Sequence, residues 1–222
     1  MLRAVLFDLD GTLLDTQPDF SVLVDRLLSE HGLPAADPLR LNPQLSSGAR
    51  AMLRACFELE DCAPQLDTLT ARFLEDYQQL IPQTQAALFA DIDLLLSDLV
   101  ERGLPWGIMT NKARRFSAPL LTQFESFATC AALVCPDDVG KGKPDPAGLL
   151  HLCEQLQVAP ADAVYVGDHR RDIDAAKSAG MTGIAAAWGY LATDENLTEW
   201  GASFIATTPA ELRAHLAALG AR

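Results

Sequence analysis

Two carboxylates, Asp8 and Asp10, stand two residues apart in the opening stretch FDLDGT, where the apolar run Ala4-Val5-Leu6-Phe7 ends. Alternate residues of an extended strand share a face, so both acids address one site if the extended geometry continues to Asp10. Gly11 then permits a turn with close backbone approach to a ligand. Downstream, MTN carries Thr110 and Asn111, GKGKPDP carries Lys141 and Lys143, and VGDHRRD carries Asp168 and Asp172. Asp8, Asp10 and Asp168 together make a hard, oxygen-rich pocket suited to Mg²⁺, which takes few protein ligands and keeps waters. Without a cation they repel one another, and at least one is expected to stay protonated.

Adding the Thr110 hydroxyl and a lysine completes what phosphoryl transfer requires. An anionic nucleophile must approach an anionic phosphate, so cations offset the repulsion while donors hold the phosphate oxygens. One carboxylate can attack through an aspartyl-phosphate, splitting a hard step into two easier ones. The second can protonate the leaving alcohol and later deprotonate water. Each piece alone has a plainer use: a DxD is a turn, Thr110-Asn111 or Asp168 and Asp172 a helix cap, Lys143 a loop lysine. Their ordered recurrence at strand ends is what argues for a site.

The elements that would position these residues alternate. Trp106–Thr110, Ala131–Cys135, Ala163–Gly167, Gly183–Trp188 and Ala202–Ala206 read as strands. Ile92–Arg102, Lys112–Phe124, Pro146–Leu156, Asp172–Ala179 and Pro209–Leu219 repeat apolar residues at helical spacing. Strands too apolar for a wet face, alternating with helices, imply a parallel sheet covered on both sides. Between Thr16 and about Leu88 the rhythm breaks into helical patterns alone, at Phe20–His31, Ala49–Leu59 and Leu66–Leu80. The expected fold is therefore α/β, a Rossmann-like doubly wound parallel sheet with a small α-helical insertion after strand 1. The core is expected to span residues 1–15 and 89–222, and the insertion residues 16–88.

Composition narrows the partners. The 222 residues carry a net charge of −13, which argues against a nucleic-acid partner but not against a small anion captured by local positive charge. Five cysteines form no CxxC pair, and the four histidines are scattered, so buried thiols are expected and zinc is not. No signal-peptide pattern and no apolar stretch of about 18 residues is present, which points to a cytoplasmic protein with no membrane partner.

With these motifs in place, the chain resembles the haloacid dehalogenase superfamily of phosphatases over essentially its whole length. FDLDGTLLD, MTN, KPDP and VGDHRRD fall in the order of that family's four motifs. The resemblance implies Asp8 as nucleophile, Asp10 as acid and base, and Lys143 as the third catalytic group, with Lys141 a rival to it. It implies Thr110 as phosphate ligand, with Leu9, Gly11 and Asn111 around the phosphate. It implies Mg²⁺ held by Asp8, the main-chain carbonyl of Asp10 and Asp168, supported by Asp172. The insertion corresponds to the family's helical cap, and Ser47, Gly48 and Arg50 in SSGARAM fall at its specificity loop, where Arg50 could meet substrate.

LSSGARAM, WGIMTNKARRF, VCPDDV and GYLATDENLTEWGA further resemble a branch that includes N-acetylmuramic acid 6-phosphate phosphatases and phosphoglycolate phosphatases. Asp91 stands where the family usually has glycine. His169 is expected as a loop or supporting residue, not a metal ligand. The implied activity is hydrolysis of a small phosphorylated metabolite by a monomer or weak dimer. A phosphosugar mutase shares the same core. From another class, a receiver-type signalling domain is also phosphorylated on aspartate, but it needs neither the insertion nor the second acid.

Overall fold

In the computed structural model, residues 1–192 and 195–220 are described. The strands in chain order are β1 (Ala4–Phe7), β2 (Leu14–Asp15), β3 (Ala87–Leu88), β4 (Trp106–Met109), β5 (Ala132–Val134), β6 (Ala163–Gly167), β7 (Thr182–Ala186) and β8 (Phe204–Ala206). The helices are α1 (Gln17–Glu30), α2 (Pro38–Leu41), α3 (Ala49–Cys56), α4 (Pro64–Leu80), α5 (Ile92–Glu101), α6 (Arg114–Leu121), α7 (Pro136–Val139), α8 (Ala147–Leu156), α9 (Arg170–Ser178) and α10 (Pro209–Gly220). The chain divides into two compact units, Met1–Asp15 with Leu88–Arg222, and Thr16–Ala87.

The first unit holds a six-stranded parallel sheet in the order β5-β4-β1-β6-β7-β8. Counted along this sheet alone, that is the doubly wound order 3-2-1-4-5-6, whose strand direction of travel reverses beside β1. Every residue of β1 is fully buried, and Trp106, Tyr165 and Phe7 are among the largest wholly buried side chains. Burial on both faces explains the unbroken apolar run that precedes Asp8. Register then sets the rim. Phe7 lies opposite Ile108 on one side and Val166 on the other, so Asp8, Thr110 and Asp168 all emerge just beyond the carboxyl ends of neighbouring strands.

The second unit is helical. Phe20, Phe73 and Tyr77 stack within it, with Phe20 and Tyr77 ring centroids 5.3 Å apart. Asp19 is buried there and accepts from the Gln85 amide at 2.7 Å. Helices α1 and α4 begin three and two residues earlier than periodicity predicts, at Gln17 and Pro64. Pro18, second in α1, and Pro64, first in α4, both fit the first turn, where a missing N–H costs nothing. A separate two-stranded sheet pairs β2 with β3.

Elsewhere the structure trims the expected elements. The strand expected over Gly183–Trp188 ends at Ala186, because Trp188 turns to donate its indole N–H to the Thr12 carbonyl at 3.0 Å. The helix expected from Lys112 begins at Arg114. Helix α9 begins at Arg170 instead of Asp172, since His169 and Asp172 form a capping box across its first turn. Asp91 adopts φ +65°, a left-handed conformation that glycine reaches without strain.

Candidate active site

Lys143 lies at the centre of the rim. Its ammonium is 2.8 Å from Asp8 Oδ1 and 2.7 Å from Asp172 Oδ1, and it donates to the Tyr165 hydroxyl at 2.8 Å. A lysine ammonium has three protons, and three acceptors surround this one. Burial alone would lower the Lys143 pKa, but Asp172 and Asp8 outweigh it and hold it above the usual lysine value. Asn111 clasps the lysine's backbone from both sides, accepting from its amide at 2.7 Å and donating to its carbonyl at 3.1 Å. Lys141 points elsewhere, exposed and paired with Asp145 at 3.0 Å. Of the two lysines in GKGKPDP, the structure brings Lys143 to the acids.

Tyr165 completes this cluster. Its hydroxyl donates to the Met109 carbonyl at 2.7 Å while accepting from Lys143. Burial, reinforced by Asp8, Asp172 and Asp168, pushes its pKa well above that of a free phenol, so it remains a donor.

The acids differ in their surroundings. Asp8 Oδ1 accepts from the Leu9 amide at 2.8 Å as well as facing Lys143. Burial pushes the Asp8 carboxyl up to about 6 against the opposing pull of Lys143. Asp168 is pushed up to about 8, by burial first and then by Asp8 and Asp172. Asp172 is fully buried and accepts from the His169 amide at 2.9 Å, so one carboxylate both caps α9 and faces Lys143. His169 is held below its usual pKa by burial and by Arg171.

Asp10 does not join this group through its side chain. Its Oδ1 is 2.7 Å from Lys112 Nζ, a lysine only 8% exposed. Thr110 is buried, and its hydroxyl accepts from the Lys112 amide at 3.2 Å. The Gly11 amide donates to Leu14 O at 2.9 Å, and Gly11 holds φ +80°. A methyl group there would sit 2.1 Å from Asp168 Oδ2, so glycine is required for the FDLDGT turn to pass this close to Asp168.

Asp8, Asp168 and Asp172 each present a ligand oxygen, all within 4.8 Å of one another. Lys143 pairs with two of these three carboxylates, Asp8 and Asp172, while Asp8 and Asp168 are pushed toward protonation. An all-oxygen donor set carrying excess negative charge fits a hard divalent cation such as Mg²⁺.

Arg50 belongs to the helical unit, where its guanidinium pairs with Asp67 and donates to the Asp61 carbonyl at 2.6 Å. The residues that sequence reasoning missed are Lys112, Tyr165, Thr12 and the Trp188–Tyr190 loop. Two carried a signal. Lys112 directly follows Thr110-Asn111, and Tyr165 is a phenol in an otherwise aliphatic strand, whose hydroxyl must find a polar partner when buried.

The chain matches the model of the haloacid dehalogenase-like hydrolase family over residues 5–186. It is 41% identical over 212 residues to an N-acetylmuramic acid 6-phosphate phosphatase of Pseudomonas putida, covering 96% of this chain and 95% of the other. It is 42% identical over 210 residues to a phosphoglycolate phosphatase of Xanthomonas campestris pv. campestris, covering 95% and 94%. Among solved structures, a predicted phosphoglycolate phosphatase from Haemophilus somnus superposes with a TM-score of 0.84 at 24% identity, over 97% of this chain and 98% of that one. That last likeness speaks for the fold. Among the described residues, no helix is long and apolar enough to cross a membrane.

Proposed function

The chain belongs to the haloacid dehalogenase-like hydrolases and is a phosphoric monoester hydrolase, and from that premise we propose how its residues divide the work and what they act on. The observation that carries the reading is the Asp8–Lys143–Asp172 cluster, with Lys143 2.8 Å from Asp8 and 2.7 Å from Asp172, beside Thr110 and Asp168 at the carboxyl ends of adjacent strands. Asp8 is the nucleophile. Among the described residues the Leu9 amide and Lys143 both meet Oδ1, which leaves Oδ2 as the oxygen that attacks phosphorus.

As the Asp8–phosphorus bond forms, the bond to the leaving alcohol breaks, and Asp10, protonated and turned from the Lys112 ammonium that it meets at 2.7 Å, hands that oxygen its proton. Water then attacks the aspartyl-phosphate, Asp10 takes the water's proton, and phosphate leaves with Asp8 restored. Lys143 offsets the charge between Asp8 and the phosphate, and Thr110 holds a phosphate oxygen, with Leu9, Gly11 and Asn111 shaping the loops around it. Asp8, Asp168 and the Asp10 carbonyl are the residues that would hold Mg²⁺, supported by Asp172. When bound, the cation supplies electrostatic stabilisation of charge on the transferring phosphoryl group.

The named relatives support a substrate class. We assign a small phosphate monoester that also bears a carboxylate, N-acetylmuramic acid 6-phosphate or phosphoglycolate. Selection between them is assigned to the inserted helical unit as cap, including the Arg50 region. Phosphate release measured over these two compounds and common sugar phosphates tests the assignment. One of the two is expected to show the highest kcat/KM. Isomerisation of a sugar phosphate without phosphate release would replace hydrolase with mutase. Asp8→Asn is expected to abolish turnover in a folded protein, and substantial residual activity would remove Asp8 from the nucleophile role.

A further inference from the structure

The loop that follows β7, Ala187 to Leu191, belongs to none of the four motif segments, yet it wraps directly over Asp168. The Ala187 amide donates to the Ala206 carbonyl at 2.8 Å, which fixes the loop's base against β8. The Trp188 indole N–H donates to the Thr12 carbonyl at 3.0 Å. The Tyr190 amide donates to Asp168 Oδ2 at 2.9 Å, and the Tyr190 hydroxyl donates to Asp15 Oδ1 at 2.9 Å. From the other side, the Thr12 hydroxyl reaches Asp168 Oδ1 at 3.4 Å. Both carboxylate oxygens of Asp168 are therefore held, one by the loop and one by the turn that the loop itself clamps.

Gly189 makes the closeness possible. A methyl group there would meet Asp168 Cβ at 2.3 Å, the Gly11 carbonyl at 2.3 Å and Asp168 Oδ2 at 2.6 Å. Two of those atoms are backbone or the first atom of a side chain, so neither can rotate away. Something must move: the Asp168 side chain, the Gly11 turn opposite it, or the loop that holds them both, and each disturbs the contacts that fix Asp168.

We propose that Trp188, Gly189 and Tyr190 form a positioning strap for the cation site, fixing the carboxylate plane of Asp168 and the Gly11–Thr12 turn so that divalent-cation affinity depends on the strap. The inference rests on the reading of Asp168 as a Mg²⁺ ligand. It adds three residues that touch neither phosphate nor cation and act through Asp168. Changing the outer groups that orient a metal ligand typically costs about 10–100-fold in metal affinity.

The test is calorimetric titration of Mg²⁺ into the EDTA-stripped full-length protein, in wild type, Asp168→Asn, Gly189→Ala and Trp188→Phe, with no substrate present. Each variant's melting temperature is measured in EDTA. Asp168→Asn is expected to lose measurable binding, and wild-type affinity in that variant would overturn the reading of Asp168 and the strap with it. Given that loss, Gly189→Ala is expected to raise the Mg²⁺ dissociation constant about tenfold or more, on the scale seen when outer contacts of a metal ligand are removed. A loop with a merely structural role would lower the melting temperature in EDTA and leave the affinity of the folded protein alone. That outcome overturns the strap while leaving Asp168 in place. Should Gly189→Ala fail to fold, Trp188→Phe decides: weakening by about tenfold or more supports the strap, and anything less overturns it.

Discussion

Replacing Tyr165 with phenylalanine removes one oxygen atom and keeps the ring that fills the core. That oxygen accepts from the Lys143 ammonium at 2.8 Å and donates to the Met109 carbonyl at 2.7 Å, with both partners in the buried interior. A hydrogen bond to a charged group contributes about 1.5–3 kcal/mol, and a buried carbonyl deprived of a donor costs about 1 kcal/mol more. The sum is roughly 2.5–4 kcal/mol, with no cavity larger than the lost atom. For a chain of this size each kcal/mol moves the melting temperature by about 2–4 °C, so a fall of roughly 5–15 °C is expected by calorimetry. The attribution to Lys143 is checked by a double-mutant cycle with Lys143→Met. A coupling of about 1 kcal/mol or more is expected, since the two residues share one contact. A Tyr165→Phe protein that melts within about 1 °C of wild type would refute the claim that the ammonium needs its third acceptor.

Lys143→Met alone leaves Asp8 and Asp172 facing one another without their shared cation, and should cost about 3–5 kcal/mol in denaturant unfolding at neutral pH. Asp138 is held below the usual carboxylate pKa by its hydrogen bond to Arg114 and also accepts from the Cys135 amide at 2.8 Å. The stability it contributes is present above the unfolded carboxylate pKa and is lost as pH falls through the lower folded value. Asp138→Asn should therefore cost about 1 kcal/mol at pH 7, with the difference from wild type closing toward pH 3 in parallel unfolding curves. Asp91→Gly relieves a left-handed residue at φ +65° but loosens the unfolded chain, for a net gain of about 0.5 kcal/mol in thermal unfolding.

Asp8, Thr110 and Asp168 were legible in the sequence because each directly follows a short apolar run, and the carboxyl edge of a parallel sheet gathers such positions whatever lies between. The sheet itself was legible for the same reason: strands buried on both faces leave no polar residues to blur their limits. Lys112 was not, since nothing in the chemistry of one lysine says which of several acids it will meet. The Trp188–Tyr190 loop was invisible because its main effect comes from a backbone amide and an absent Cβ, neither of which a residue type announces. Trp188 was instead drawn into a strand, as its β-propensity invites. Arg50 pairs with groups eleven and seventeen residues away, at Asp61 and Asp67, a spacing that matches no helical or strand period. The starts of α1 and α4 were placed late because the apolar repeat begins only at Phe20 and Leu66, after the proline-bearing first turn.

The sheet order has a consequence for how the site comes into being during synthesis. β1 leaves the ribosome before either of its neighbours, β4 and β6, and β6 ends at Gly167. At roughly 5–20 residues per second, the 160 residues between Phe7 and Gly167 (167 − 7) take on the order of 8–32 s to appear. Until β4 is made Ala4–Phe7 has neither strand partner, and only at the end of the interval can β6 pair with it and bring Asp168 beside Asp8. The nascent acids are thus solvated and spread apart. Asp8 and Asp168 are brought together only as β6 docks, so the repulsion within the carboxylate rim enters the molecule after β4, β5 and Lys143 have been made.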